Sequence, residues 1–353
     1  MSRQHVAKPL GITMGDPAGI GPEVLVKALH AGVPDGAPLV LVGSRWALAQ
    51  GAAAAGLPEP DLPEIGEPGD LKEGVGIIDI GVGRPADFHF GAVDPACGAH
   101  AVRSVERAAE LCMAGQLAAM VTAPINKEAV HAAGYVDDIG HQEILARITR
   151  ATLTATMLMT PGLRVVHLST HKPLTEAARF VTRANVLARL QLADRSLTDW
   201  GLPQARIAVA ALNPHGGEGG MLGREEIDEL GPAVSDARAQ GIDAHGPIPA
   251  DSVFNRAIAG EFDAVLALYH DQGHIAVKVH DFHGSTTATL GIPFVRTSVD
   301  HGTAFDIAGL GKADPRGMTA ALEAATALVE GRLAGLWPAA ANSAATSGKR
   351  NRT

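Results

Sequence analysis

Residues 10–31 read LGITMGDPAGIGPEVLVKALHA, and this stretch decides the fold class of the chain. Its first part, Leu10–Met14, is a short apolar run typical of a buried strand. A glycine-rich turn follows, and Gly19–His30 has a helical pattern with Pro22 in its first turn. A strand that passes through such a turn into a helix is typical of an α/β protein.

The same alternation continues along the chain. Further strands are predicted at 38–42, 118–122, 163–169, 206–212 and 264–269, and helices at 45–55, 125–133, 184–199, 224–240 and 317–331. This order predicts an α/β fold with a mainly parallel sheet. Because ligands bind at the carboxyl ends of strands in such sheets, the polar clusters that follow the strands are the candidate functional residues.

Length and composition restrict the class of protein. The 353 residues, 46 % of them hydrophobic, are enough for about two domains of ~150 residues. A net charge of −9 argues against nucleic-acid or anionic-membrane binding, and no apolar run approaches the ~18 residues of a membrane span. The N-terminus lacks the apolar core of a signal sequence and only two cysteines are present, so we expect a cytoplasmic protein. Residues 338–353 are predicted to be disordered.

Three predicted strands are each followed by a histidine, namely His171, His215 and His270. A single histidine in such a place is more often an ordinary surface or core residue. Three in equivalent positions favour a divalent ion, because neutral imidazoles suit Zn²⁺ and three protein ligands leave a position open for substrate. The long spacing by itself leaves both interpretations open.

Two cations and a glycine-bearing loop lie further along. Lys278 follows the third histidine, and Arg296 is predicted to end an apolar strand. Together they would bind phosphate or carboxylate, although a pair of surface salt bridges is the alternative. In the loop 298–315, Gly302 and Thr303 could present backbone groups to a nucleotide, although the residues alone favour an ordinary glycine-bearing loop. No classical dinucleotide fingerprint is predicted elsewhere.

Seven motifs, in order, closely resemble those of the 4-hydroxythreonine-4-phosphate dehydrogenase family. They are MGDPAGIGPE (14–23), GHQE (140–143), STHKPL (169–174), NPHGGEGG (213–220), PADSVF (249–254), YHDQG (269–273) and TLGIPFVRTSVDHGTA (289–304). The resemblance runs from about residue 9 to about residue 330, and parts also resemble the isopropylmalate and isocitrate dehydrogenases. It implies an isopropylmalate/isocitrate dehydrogenase-like α/β fold with an active-site cleft between two domains, residues 1–130 plus 305–337 and residues 131–304. The second domain is expected to carry the metal and the dimer contacts.

The resemblance also implies a homodimer with one divalent ion per site (Zn, Mg, Co or Mn), held by His171, His215 and His270, one of them donated across the dimer. The implied substrate contacts are His141, Gln142, Lys278, Thr287 and Arg296. Of these, Gln142 and Thr287 stand where the family usually has Thr and Asn. The nicotinamide cofactor, NAD or NADP, is expected at Gly216, Glu218, His301, Gly302, Thr303 and Asp306. The candidate proton-relay or histidine-orienting residues are His141, Asp251 and Asp271.

The implied reaction is the oxidation and decarboxylation of a four-carbon 4-phosphorylated 3-hydroxy acid. The substrate is either 4-phospho-D-threonate or 4-phospho-D-erythronate, or 4-hydroxy-L-threonine 4-phosphate on the way to the pyridoxal ring. The stretches TAPINKEA (122–129) and DQGHI (271–275) favour the first pair. Two alternatives remain: a metal-dependent dehydrogenase of an aromatic cis-dihydrodiol dicarboxylate, and a non-catalytic binding protein for phosphorylated sugar acids.

Overall fold

The computed structural model describes residues 8–32, 38–138 and 140–337, and it confirms the α/β class. The strands are β1 Leu10–Thr13, β2 Leu39–Gly43, β3 Val75–Asp79, β4 Ala119–Thr122, β5 Ala155–Thr160, β6 Leu163–His167, β7 Ile207–Ala210, β8 Ala244–Ile248, β9 Ala264–Ala267, β10 Thr286–Leu290 and β11 Val295–Val299. The α-helices are α1 Gly21–Ala31, α2 Arg45–Ala55, α3 Pro95–Met113, α4 Lys127–Ala132, α5 His141–Thr149, α6 Leu174–Phe180, α7 Arg183–Asp199, α8 Gly231–Ala239, α9 Ala250–Ile258, α10 His270–His280 and α11 Arg316–Val329. The tail predicted to be disordered lies outside the described residues.

One compact unit consists of the described residues of Met1–Leu158 and Lys278–Gly331. Its strand order is β3-β2-β1-β4-β11-β10, parallel except for the antiparallel β10–β11 pair. Both faces of this sheet are buried. Leu39 and Leu41 of β2 pack in one core with α1, α2 and α11, whereas Val40 and Val42 pack in a second core with α3 and α5. This is the continuous apolar pattern expected of a parallel strand covered on both sides.

The second unit consists of Met159–Val277 and residues from Arg332 onward. Its strand order is β6-β9-β7-β8, and each pair is parallel. The carboxyl ends of these strands therefore share one edge. The segments that carry His171, His215 and His270 leave the sheet at that edge. Both β5 and α10 contain a boundary between the two units.

The limits of these units differ from the predicted limits at 130/131 and 304/305. The first unit takes residues 278–304 because β11 pairs in parallel with β4, Val295 opposite Ala119 and Ser298 opposite Thr122. No helix within the described residues is long and apolar enough to cross a membrane.

Three local expectations also change. Arg296 does not end its strand but is the second residue of β11, because the polar residues Thr297 and Ser298 continue the strand and donate their hydroxyls to Ala321 O and Thr122 O. The helix expected over 224–240 starts as a π-helical turn, Glu226–Leu230, before α8. The longest helix described, α3, was not predicted.

Candidate functional site

Arg296 lies on one face of the first unit's sheet together with a group of hydroxyl side chains. In the β4–β11 register Thr122 lies opposite Ser298, and in the β10–β11 register Thr287 lies opposite Ser298. Since alternate residues of a strand share a face, Arg296 and Ser298 project to the same side. The sheet thus places the predicted residues Thr287 and Arg296 on the same face, with Thr287 opposite Ser298.

The guanidinium of Arg296 is buried, with 5 % of the residue exposed. Its Nε and Nη2 donate to Thr122 Oγ1 at 3.1 and 2.6 Å, and its Nη1 donates to Thr289 Oγ1 at 3.0 Å. Burial lowers the pKa of Arg296 to about 9, so the side chain remains a cation near pH 7. Among the described residues no Asp or Glu forms an ion pair with it. A buried cation without a counter-charge is costly, and an anionic ligand would remove that cost.

His141, the first residue of α5, lies close enough to Arg296 to be affected by its charge. Burial lowers the pKa of His141 well below its ordinary value, and the positive charge of Arg296 lowers it further. The imidazole is therefore neutral near pH 7. Its Nε2 is buried and has no hydrogen-bond partner among the described residues, which is the state expected of an atom that awaits a ligand. The neighbouring Gln142 instead donates to Thr156 Oγ1 at 2.5 Å.

Lys278 is held at the far end of β11. Its Nζ lies 2.9 Å from the carbonyl oxygen and 3.1 Å from the carboxylate of Asp300, which also accepts a hydrogen bond from Ser285. Unlike Arg296, this cation has a carboxylate partner. Arg296 thus lies within β11, whereas Lys278 belongs to α10 and contacts Asp300, the residue that follows β11.

The predicted cofactor loop packs against the glycine-rich turn that opens the chain. Ile20 N donates to the Thr303 carbonyl, and a side chain at Gly19 would collide with Thr303. The N–H groups of Asp16, Ala18 and Gly19 are also occupied by protein acceptors, so this turn does not offer them to an anion. In the loop, Gly302 and Asp306 are exposed. His301 Nε2 is buried without a partner among the described residues.

The second unit brings two of the predicted metal ligands together. The ring centroids of His171 and His270 are 6.2 Å apart, and both side chains line a cavity of about 410 Å³ with Thr170, Tyr269 and Asp271. A bound Zn²⁺ lies about 2 Å from each imidazole nitrogen, so this separation is close to the largest that one shared ion permits. The two rings are thus neighbours at this cavity, but a tetrahedral ion would require them to lie closer together than they do here.

In two of the predicted ligands, the ring nitrogen Nδ1 forms a hydrogen bond with a carboxylate. His270 Nδ1 lies 2.7 Å from Asp271 Oδ1, and His215 Nδ1 lies 2.8 Å from Glu218 Oε1. Carboxylates in this position fix the tautomer of a metal-binding histidine and leave Nε2 available. The structure thus places Asp271 against His270, and it places Glu218, predicted at the cofactor, against His215. The orienting or proton-relay role of Asp271 stays a prediction.

Among the residues that the structure describes, no third ligand joins this pair. Within the part of the chain that the structure describes, no group of three His, Cys, Asp or Glu side chains could hold a metal ion. His215 lies in the segment Pro214–Gly220, where residues 215–219 have positive φ, and it is not among the residues lining the cavity. Gly216 shares that segment in the second unit, and Asp251 is exposed in the first turn of α9.

Two residues beside the predicted set, Thr289 and His274, were missed by sequence reasoning. Thr122 and Thr289 hold Arg296, and no pattern in the sequence links them to it. His274 stacks on His270 with centroids 3.7 Å apart and the rings within 10° of parallel. Their spacing of four residues on α10 was the signal that could have revealed this pair.

Comparisons with known proteins cover both the residues around Arg296 and the predicted metal-binding histidines. The family model described as "Pyridoxal phosphate biosynthetic protein PdxA" matches residues 35–325. The D-threonate 4-phosphate dehydrogenase of Salmonella typhimurium is 44 % identical over 324 residues, 91 % of this chain and 99 % of that protein. A 4-hydroxythreonine-4-phosphate dehydrogenase structure from Klebsiella pneumoniae has a TM-score of 0.84 and 42 % identity, covering 92 % of this chain and 100 % of that one. A terephthalate 1,2-cis-dihydrodiol dehydrogenase structure from Burkholderia xenovorans has a TM-score of 0.63 and 28 % identity, covering 91 % and 98 %.

Proposed function

Because this chain belongs to the PdxA family of pyridoxal phosphate biosynthetic proteins, we propose that it oxidises and decarboxylates D-threonate 4-phosphate or a close four-carbon relative. The hydride from C3 passes to NAD⁺ or NADP⁺ and the hydroxyl proton passes to a base. The bond between C1 and C2 then breaks, CO₂ leaves, and C2 takes up a proton.

The observation that carries this proposal is the buried Arg296 without a carboxylate partner among the described residues. A guanidinium suits a phosphate because its parallel N–H groups match two phosphate oxygens. The charge of Lys278 would add to it. His141 would donate from its unpartnered Nε2 to the phosphate or to a substrate hydroxyl, since its low pKa keeps the ring neutral.

The metal-binding part of the proposal rests on the donor set. His171 and His270 would supply two imidazoles, and a second copy of the chain would complete the set with His215. A divalent ion at this place would act as a Lewis acid that lowers the pKa of the substrate hydroxyl and polarises the resulting ketone. Asp271 and Glu218 would keep the Nε2 atoms of His270 and His215 directed outward.

The nicotinamide cofactor would use the loop that contains His301, Gly302, Thr303 and Asp306. Gly302 has open space around its Cα, and His301 Nε2 is buried without a partner in the described chain. Both features suit a ligand that approaches the backbone closely and needs a polar contact. The cytoplasm, where this cofactor is abundant and where the two free cysteines stay reduced, is the proposed location.

A second candidate substrate is 4-hydroxythreonine 4-phosphate, which is favoured by the name of the Klebsiella structure. It carries an amine at C2, where D-threonate 4-phosphate carries a hydroxyl. Identity of 44 % over 91 % of the chain with a D-threonate 4-phosphate dehydrogenase makes the hydroxyl acid our first choice.

The test is NADH formation by chelator-treated protein that is then reconstituted with Zn²⁺, Mg²⁺, Co²⁺ or Mn²⁺. The panel contains D-threonate 4-phosphate, D-erythronate 4-phosphate, 4-hydroxy-L-threonine 4-phosphate and a cis-dihydrodiol dicarboxylate, each with NAD⁺ and NADP⁺. We expect the highest kcat/KM for D-threonate 4-phosphate, and only after reconstitution. Turnover restricted to the dicarboxylate, or no turnover with any acid, would contradict the proposal.

A further inference from the structure

We infer that Thr122 and Thr289 are positioning residues that fix the Arg296 guanidinium for an anion while leaving its charge uncompensated. The inference rests on the proposed phosphate-binding role of Arg296. The hydroxyls of Thr122 and Thr289, which are not among the predicted substrate contacts, would thereby increase the affinity of the site for an anion.

Hydrogen bonds to two threonines fix the orientation of the Arg296 guanidinium. Thr122 Oγ1 accepts from both Nε and Nη2 of Arg296, and Thr289 Oγ1 accepts from Nη1. The two hydroxyls therefore grip the planar group on two sides and restrict its rotation. A guanidinium has five N–H donors, so three donors used by threonines leave two for a ligand.

Arg296 differs from two arginines that pair with carboxylates, Arg206 and Arg316. Arg206 and Arg316 each direct two nitrogens at one carboxylate, that of Asp263 and that of Asp314. Those pairs are partly exposed and electrically balanced. Arg296 has the same kind of multiple contact, but to neutral acceptors and in a buried place. A carboxylate at position 122 would hold the group equally well and would compete with an anionic ligand.

Strand pairing brings both threonine hydroxyls to Arg296. Thr122 lies 174 residues before Arg296 and reaches it because β4 pairs with β11. Thr289 reaches it from β10 on the other side of β11. Both hydroxyls therefore come from strands rather than loops, which holds a binding group more rigidly.

The experiment measures binding of inorganic phosphate by isothermal titration calorimetry, without metal, nicotinamide or turnover. The proteins are the wild type, Thr122→Val, Thr122→Ser, Thr289→Val and the control Thr297→Val. Thr297 is also fully buried, and its hydroxyl donates to a backbone carbonyl, that of Ala321. Val keeps the shape of Thr and removes the hydroxyl, whereas Ser keeps the hydroxyl.

We expect Thr122→Val to weaken phosphate binding about tenfold, the size expected for a lost hydrogen bond to a charged group, and Thr289→Val to weaken it less. Thr122→Ser and Thr297→Val should bind like the wild type. Should Thr122→Val fail to fold, the comparison of Thr289→Val with Thr297→Val decides. Wild-type affinity in both folded hydroxyl-loss variants, equal weakening in the Thr297→Val control, or no phosphate binding by the wild type would overturn the inference. Failure of the proposed dehydrogenase function would appear separately, as normal phosphate binding without NADH formation.

Discussion

The anion site of the first unit and the histidine pair of the second differ in how firmly the protein holds their side chains. Arg296 is 5 % exposed and makes three hydrogen bonds to threonines. The side chains of His215 and His270 are 67 % and 41 % exposed, and each is held by a carboxylate three residues or one residue away. The difference shows that contacts within one chain hold the Arg296 guanidinium in place, whereas among the described residues no third candidate ligand joins the histidine pair.

The largest expected effect falls on the exposed histidines. His215→Ala and His270→Ala should each lower metal-dependent turnover more than about a thousandfold, because removing a ligand leaves the ion weakly bound. The free energy of unfolding should change little in His215→Ala, whose side chain is 67 % exposed, and somewhat more in His270→Ala, whose side chain is 41 % exposed and stacks on His274. Turnover, metal content after dialysis and urea unfolding check this expectation. Normal turnover of either variant in chelator-treated buffer would refute the metal hypothesis.

In the first unit, the buried carboxyl group of Asp16 should make the free energy of unfolding depend on pH. Burial raises the pKa of Asp16 from 3.8 to about 7; the Ala18 N–H opposes this rise and the charge of Asp94 adds to it. The unfolded chain loses this proton at lower pH than the folded chain does. The free energy of unfolding should therefore fall as pH rises through this interval, by about 4 kcal/mol in total.

Asp16→Asn is the matched control, because the amide oxygen can still accept from the Ala18 N–H. The variant should resemble the wild type near pH 4 and exceed it in stability above pH 7. Parallel stability curves for the two proteins, measured by urea unfolding, would show that Asp16 does not titrate as described.

Arg296→Met tests the proposed anion site of the first unit. We expect kcat/KM for the phosphorylated acid to fall about a hundredfold, because a charge-assisted contact is lost, with a much smaller change in KM for NAD⁺. Stability should stay the same or rise, because a buried cation without a carboxylate partner in the described chain is removed.

Arg206→Met is the control for this variant. Arg206 pairs with Asp263 in the second unit, and its loss should leave kcat/KM unchanged. Equal increases in both KM values of Arg296→Met would indicate that Arg296 serves the cofactor or the fold.

The smallest effect concerns the ring that supports His270. His274 stacks on it, and His274 in turn contacts the buried His167, whose ring occupies the space that a side chain at Gly273 would fill. His274→Ala should weaken Co²⁺ binding about tenfold, as expected for residues that orient a metal ligand, and His274→Phe should preserve most of it. His30→Ala, at an exposed position of α1, is the control. Equal Co²⁺ affinity in His274→Ala and the wild type would remove His274 from this role.

Local signals in the sequence were enough for much of the fold. The helix Arg45–Ala55 was predicted with its observed bounds, and the histidines were correctly expected after parallel strands. α3 was missed although its signal is local: Asp94 caps the helix, Pro95 follows, and Val102, Val105 and Ala109 repeat at helical spacing.

The remaining parts depend on contacts distant in sequence. Arg296 was expected at a strand end because polar residues follow it, yet Thr297 and Ser298 are buried inside β11, where backbone carbonyls accept from their hydroxyls. The grip of Thr122 on Arg296 exists only through the pairing of β4 with β11. The observed unit limits differ from the predicted ones because this same pairing of β4 with β11 places residues 278–304 in the first unit.

The most direct test of the central claim, that the metal site is completed by a second copy, is subunit mixing. His215→Ala and His270→Ala are unfolded together, refolded as a mixture and assayed for metal-dependent NADH formation. We predict recovery of about a quarter of wild-type turnover, since half of randomly mixed dimers are hybrids and each hybrid keeps one intact site. A mixture of His171→Ala and His270→Ala should stay inactive, because these two rings lie together in one chain. No recovery in the first mixture, from proteins that refold and dimerise normally, would contradict the account.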